Sequence, residues 1–237
     1  MKLIFIRHGD PDYEHDSLTE KGRREAEFLS SRVSKWENIS DIYVSPLGRA
    51  KETASYSLDK LNRTGIEKEW LKEFWYPVIH PHDNKPHVPW DFYPAYWNDS
   101  PVVYDKDRWT EYDLYKDVNI KKEAEIVYNG IDGILKEHGI TRVGNSYISD
   151  GSFDGNLVFF CHLGVSCVMM GHILGISPFM LWHSTFLPTT SVSIVGAEIR
   201  DNKHVGFRTQ VIGDTSHLLM NNEPVSHAGY FTEPFQG

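Results

Sequence analysis

Apolar positions along the chain change period from segment to segment, and those changes outline its elements. Leu3 to Ile6 is an uninterrupted branched run, as expected of a strand covered on both faces, and it ends at Arg7-His8-Gly9. Beyond Pro11, Thr19 stands where a helix N-cap belongs, and Ala26, Leu29 and Val33 recur at helical spacing to about Trp36. Asp41 to Val44 reads as a second strand. Ser45-Pro46 then opens a helix carrying Arg49, Thr53, Ala54 and Leu58, since proline is tolerated in a first turn. Ile66 to Glu69 is a candidate third strand.

Periodicity then fails. Between Trp70 and Tyr115 the chain is broken by prolines and crowded with Trp75, Tyr76, Trp90, Phe92, Tyr93 and Trp109, among other aromatics. This stretch is read as an insertion over about residues 74–120 in a single domain spanning 1–237, more as a small satellite core than as a lid. Helical spacing returns from Lys121 to His138 and stops at Gly139. Arg142 to Ile148 and Leu157 to Cys161 are expected as two strands joined by the Gly/Asp turn Asp150 to Gly155. Val165 to Leu174 is apolar enough for a buried helix, and Ser191 to Val195 and Val205 to Val211 close the series as strands. Alternating strands and helices predict a three-layer α/β/α fold with a mostly parallel central sheet, the aromatic-rich insertion lying near the active site.

Composition narrows the function. With 40% hydrophobic and 24% charged residues among 237, the chain can bury a full core, and disorder is excluded. A net charge of -9 argues against nucleic acid and anionic membranes as partners, because both demand excess Lys and Arg. An anionic substrate therefore needs a local cationic pocket. Two cysteines, Cys161 and Cys167, make no disulfide framework, and the N-terminal apolar run is too short for a signal peptide. With no membrane-length apolar run either, the expected location is cytoplasmic and the expected partner a small phosphorylated metabolite.

Arg7-His8, Ser45 to Arg49 and His162 all fall at or just beyond predicted strand ends, where ligands of parallel sheets gather. Two arginines can grip a phosphate dianion through planar forks of donors. A histidine between them is held neutral by their charge, keeps a lone pair for attack on phosphorus, and needs an acceptor such as a loop carbonyl for its other nitrogen. A second histidine can stabilise the transferring group, and a carboxylic acid can protonate the leaving oxygen.

These segments resemble the histidine phosphatase superfamily, which includes phosphoglycerate mutases and many small phosphatases. Arg7-His8-Gly9 matches its opening signature, and Ser45-Pro46-Leu47-Gly48-Arg49-Ala50-Lys51-Glu52-Thr53-Ala54 matches its Ser-Pro-x-x-Arg-Ala-x-x-Thr-Ala block. Leu71-Lys72-Glu73 stands where the family has Leu-x-Glu, and His162 follows a strand as the family's second histidine does. Leu18 to Gly22 and Asp214 to Leu218 resemble further family segments. The resemblance implies His8 as nucleophile, Arg7, Arg49 and His162 as the phosphate pocket, Glu73 as acid/base, and neither metal nor other cofactor. Two departures stand out: Leu163 separates His162 from Gly164, and Phe74-Trp75-Tyr76-Pro77 follows Glu73 where the family has glycine. Glu69 and Asp83 therefore stay open as the acid.

His80, His82, Asp83 and His87 are the one group with metal-type side chains. Its proline-bent setting, lack of helical i, i+4 spacing and lack of cysteine argue against a metal. The leading expectation is a phosphatase of a small phosphomonoester. A phosphoglycerate mutase and a non-catalytic phosphate-ligand module are the alternatives, the mutase disfavoured by the neutral aromatics after Glu73.

Overall fold

The computed structural model describes residues 1–237 except 153–154, 202, 231, 234 and 236–237. In chain order its elements are β1 (Lys2–Arg7), β2 (Pro11–Asp12), β3 (Ser17–Leu18), α1 (Glu20–Val33), β4 (Ile39–Val44), α2 (Gly48–Leu61) and β5 (Ile66–Glu67). The insertion contributes β6 (Val78–His80), β7 (Lys85–His87) and α3 (Pro94–Trp97), with short 3-10 turns. Beyond it come α4 (Ile120–Glu137), β8 (Ile140–Val143), β9 (Ser146–Ser149), β10 (Asn156–Cys161), α5 (Leu163–Leu174), α6 (Pro178–Ser184), β11 (Val192–Arg200), β12 (His204–Asp214) and α7 (Ser216–Leu219).

The main sheet has the order β5-β4-β10-β1-β11-β12-β9-β8. β5, β4, β10 and β1 are parallel. From β1 outward each pairing is antiparallel, so β11 and β9 run against the other six strands of this eight-stranded sheet. Side chains alternate between strand faces, and the alternation builds the layers. Leu3 and Phe5 join one buried cluster with Phe159, Ile131 of α4 and Val168 of α5, whereas Ile4 and Ile6 join another with Phe160, Leu29 of α1 and Ala54 of α2. Helices thus cover both faces, as the three-layer expectation requires.

Register in the parallel half is reinforced by an aromatic ladder. Phe5 lies beside Phe159 and Phe159 beside Tyr43, with rings stacked at 5.3 Å in each pair. Such pairs add about 0.5–1.5 kcal/mol each beyond their burial, and a slipped register would lose both. The same register sets Arg7 opposite Cys161 and Val44 opposite Phe160, which brings the ends of β1, β10 and β4 level.

Three expectations need correction. Arg142 to Ile148 is not one strand: Gly144, at φ 60°, turns the chain between β8 and β9, a left-handed conformation that glycine adopts without strain. Nor does that region form a hairpin with Leu157 to Cys161, because β9 pairs with β8 and β12 while β10 sits between β4 and β1. Of the expected Asp150 to Gly155 turn, Phe153 and Asp154 lie outside the described residues. The third strand is short, Ile66–Glu67, and gives way to a 3-10 turn at Glu69–Leu71.

The insertion's aromatics divide. Phe92, Trp97, Trp109, Tyr112 and Tyr115 are buried and continuous with the main core, and the Trp109 indole N–H donates to the Tyr128 hydroxyl at 3.0 Å. Trp75 and Tyr93 remain exposed. Cys161 and Cys167 are buried free thiols, and no helix among the described residues is long and apolar enough to cross a membrane.

Candidate active site

His8 follows β1 directly, and its amide donates to the Cys161 carbonyl at 3.0 Å. Its Nδ1 lies 2.8 Å from the Gly9 carbonyl oxygen. A carbonyl can only accept, so Nδ1 carries the proton and Nε2 keeps its lone pair. The Gly9 amide in turn donates to Thr53 Oγ1 at 2.9 Å, which ties the loop to α2. Burial, and then the charges of Arg7 and Arg49, hold the His8 imidazole well below its ordinary pKa against the Gly9 hydrogen bond. The neutral form predicted from the neighbouring arginines is thus favoured, with desolvation as the larger cause.

His162 is the N-cap residue of α5, and its ring centroid lies 5.1 Å from that of His8. Its Nε2 is 2.7 Å from Ser45 Oγ, just beyond β4. Burial and the adjacent His8, Arg49 and Arg7 lower its pKa well below the ordinary value too. Arg49, in the first turn of α2, donates from Nη1 to Asp16 Oδ1 at 2.6 Å. Arg7 donates from Nη1 to the Leu187 carbonyl at 2.7 Å and from Nη2 to the Ala228 carbonyl at 3.2 Å.

Those contacts leave donors over. Among the described residues, Arg7 Nε, Arg49 Nε and His162 Nδ1 are buried without a hydrogen-bond partner. Buried polar atoms are seldom left so, and an orphan costs about 1–3 kcal/mol. Three such nitrogens on residues surrounding a neutral imidazole form a set that the oxygens of a phosphate would satisfy.

Glu73 meets the site from the start of the insertion. Its Oε1 accepts from the amides of Phe74 at 2.7 Å and Val165 at 3.1 Å, the latter in the first turn of α5. Burial raises its carboxyl above the usual glutamate range, opposed by the amides of Phe74, Gly164 and Val165 and by the Arg7 charge. Gly164 has a packing reason here: a Cβ on it would come within 2.4 Å of the Trp90 ring and 2.7 Å of Glu73 Oε1. The glycine displaced by Leu163 in the sequence therefore still makes room for Glu73 and Trp90.

The other two candidate acids are elsewhere. Glu69 is exposed and paired with Lys72, and Asp83 lies on the β6–β7 hairpin with His82 and His87, a group of potential metal ligands outside the pocket. A cavity of about 210 Å³ adjoins the site, lined by Arg7 and Glu73 with Tyr13, Trp90, Trp182 and Phe186 among others, whereas His8, Arg49 and His162 lie behind its wall. Sequence reading missed Ser45 as the partner of His162, Asp91 as a second carboxylate on the wall, and the C-terminal segment at Ala228 and Gly229 beside Arg7. Strand-end position flagged Ser45, but no local signal marks the other two.

The sequence profile described as "Histidine phosphatase superfamily (branch 1)" matches residues 3–114. A 2,3-bisphosphoglycerate-dependent phosphoglycerate mutase of Thermoplasma acidophilum is 34% identical over 84 residues, 31% of this chain and 42% of the mutase, so the match spans less than half of that relative. In fold, the chain is similar to phosphoserine phosphatase from Entamoeba histolytica, at 19% identity and TM-score 0.58 over 92% of this chain and 98% of the other. It is likewise similar to a mycobacterial glucosyl-3-phosphoglycerate phosphatase, at 16% identity and TM-score 0.58 over 90% and 98%. The alpha-ribazole phosphatase from Shigella flexneri stands at 15% identity and TM-score 0.58 over 91% and 97%.

Proposed function

We propose that this chain acts as a member of the histidine phosphatase superfamily, whose profile matches residues 3–114, and that it hydrolyses a small phosphomonoester through a phosphohistidine on His8. The observation that carries the reading is the trio of buried, unpartnered donors, Arg7 Nε, Arg49 Nε and His162 Nδ1, gathered about an imidazole whose Nδ1 is held by Gly9. The His8 Nε2 lone pair attacks phosphorus, and the ester P–O bond breaks as the leaving oxygen takes the proton of Glu73. Arg7, Arg49 and His162 meet the charge on the transferring oxygens. Water then gives a proton to the Glu73 carboxylate and attacks phosphorus, the N–P bond breaks, and phosphate leaves with His8 restored.

Phosphatase chemistry is preferred to mutase chemistry because Arg7 is the one Lys or Arg among the described residues lining the cavity, whose remaining wall holds four aromatic side chains, the carboxylates Glu73 and Asp91, and uncharged residues. A phosphoglycerate would bring a carboxylate with no partner there. The mutase relative keeps the second reading alive, and the shared site also suits a module that binds phosphate ligands without turnover.

A screen of phosphate release from metabolite phosphomonoesters, with acid-labile phosphohistidine trapped from the preferred substrate, tests the proposal. His8→Ala should abolish the trapped species and lower turnover by at least about 10³-fold. Retained turnover in that variant would sink the mechanism. Mutase activity of primed enzyme exceeding phosphate release would replace the reading with the second, and phosphate binding without turnover would favour the third.

A further inference from the structure

The β6–β7 hairpin carries side chains that the phosphoryl site does not use. Residues 80–87 read His-Pro-His-Asp-Asn-Lys-Pro-His. The register puts Val78 opposite His87 and His80 opposite Lys85, so His80 and His87 share a face, and the turn, with Asn84 at φ 58°, folds His82 onto them. Ring centroids stand 4.8 Å apart for His80 and His87 and 5.5 Å for His82 and His87. Asp83 closes the group, its Oδ2 lying 2.7 Å from His87 Nε2 and 3.6 Å from His82 Nε2. Donor atoms of His82, Asp83 and His87 all fall within 4.8 Å of one another.

We propose that His82, Asp83 and His87 bind a divalent cation of the zinc or cobalt kind. Two imidazoles and a carboxylate are a donor set such ions prefer, and three protein ligands leave a coordination position for water. Bonds of about 2.0–2.2 Å in a tetrahedron hold donors about 3.3 Å apart, and small rotations of these partly exposed side chains bring them there. The rings are braced for this. Tyr93 packs on His82 at 4.7 Å, and the buried His80 sits behind both ligand rings with its Nε2 donating to the Val88 carbonyl at 2.8 Å. His80 is therefore a support, not a ligand. Helical spacing is the wrong test at a hairpin tip, where positions i, i+1 and i+5 converge instead.

The site adjoins the catalytic pocket without entering it. Val88, next in the chain after His87, lines the cavity together with Trp90 and Asp91. A cation on the hairpin thus braces one wall of the substrate site while the phosphoryl chemistry stays with His8.

Tag-free full-length protein, stripped with chelator, is titrated with ZnCl2 by calorimetry, and Co2+ binding is followed by its visible d–d bands. The expected result is one Zn2+ per chain at micromolar affinity or tighter. His82→Ala or His87→Ala should weaken binding at least about tenfold by loss of one ligand of three. Asp83→Asn, which keeps a hydrogen-bond acceptor for the hairpin, should also weaken it, and circular dichroism establishes that each variant is folded. His204→Ala, removing an exposed imidazole 2.8 Å from Asp201 on another part of the surface, should leave affinity unchanged. No stoichiometric binding by the wild type, or equal affinity in the His82→Ala/His87→Ala double variant, overturns the site. Since the readout is metal binding and not turnover, failure here and failure of the phosphatase reading are separate results.

Discussion

Glu73→Gln isolates proton transfer at the proposed site. Glutamine keeps the size of the side chain and an oxygen able to accept the amides of Phe74 and Val165, which stand 2.7 and 3.1 Å from Oε1. It cannot exchange a proton. With both amides on Oε1, the catalytic proton belongs on Oε2, and burial raises the carboxyl so that the acid form is available nearer neutral pH than for a solvated glutamate. Acid–base assistance of this kind is worth about 10²–10⁴ in rate, or about 2.7–5.4 kcal/mol of barrier. On an alkyl phosphomonoester, kcat should fall by that factor with little change in KM. On an aryl phosphate, whose leaving group needs no proton, phosphorylation of His8 should be largely spared, while hydrolysis of the phosphohistidine still lacks its base. Rapid-quench measurement should then find a burst of phenol, followed by slow turnover and accumulated phosphoenzyme. Retention of kcat on alkyl substrates to within about threefold would refute the assignment. So would transfer of the whole deficit to Asp91→Asn, the other carboxylate on the cavity wall.

Ser45→Ala removes the group 2.7 Å from His162 Nε2 and leaves that buried nitrogen unpaired. A loss of about 1–3 kcal/mol in urea unfolding and a lower kcat are expected, with partial rescue by Ser45→Thr; an unchanged midpoint and kcat would show that Ser45 does not hold the ring. Acid should destabilise the fold through its buried imidazoles. His183 and His217 are each lowered from 6.5 to about 4, burial being the main cause. A depressed native pKa means that the unfolded chain takes up protons first, so this stability is present above about pH 6.5 and is lost as pH falls towards 4. Up to about 3 kcal/mol per histidine is at stake, and His8 and His162 act in the same direction. Urea midpoints that stay level from pH 7 to 4 would contradict it.

Much of the site could be read locally. The branched run of Leu3 to Ile6 marks a strand whatever its neighbours, and the residues just past such a strand lie at its carboxyl end, so Arg7-His8, Ser45 to Arg49 and His162 were placed correctly from pattern alone. Thr19 illustrates the same legibility, since its side chain accepts from the Gly22 amide as the capping signal predicts.

What escaped is set by contacts between distant segments. Nothing in Arg142 to Cys161 says that β10 belongs between β4 and β1 while β9 joins β12, because those pairings are contacts with segments far away in the chain that a local pattern does not encode. Glu73 differs from Glu69 and Asp83 in its burial and in its amide partner Val165, which the first turn of α5 supplies from some ninety residues onward. The metal-type group at His82, Asp83 and His87 depends on the hairpin turn in the same way. By itself, the sequence determined the strand ends and the chemical types of residue gathered there, because side-chain period, caps and turn residues act over a few positions. Tertiary structure alone decided the environment of Glu73, Ser45's hold on His162 and the partners left to Arg7, because desolvation and hydrogen-bond geometry arise only when segments far apart in the chain pack together.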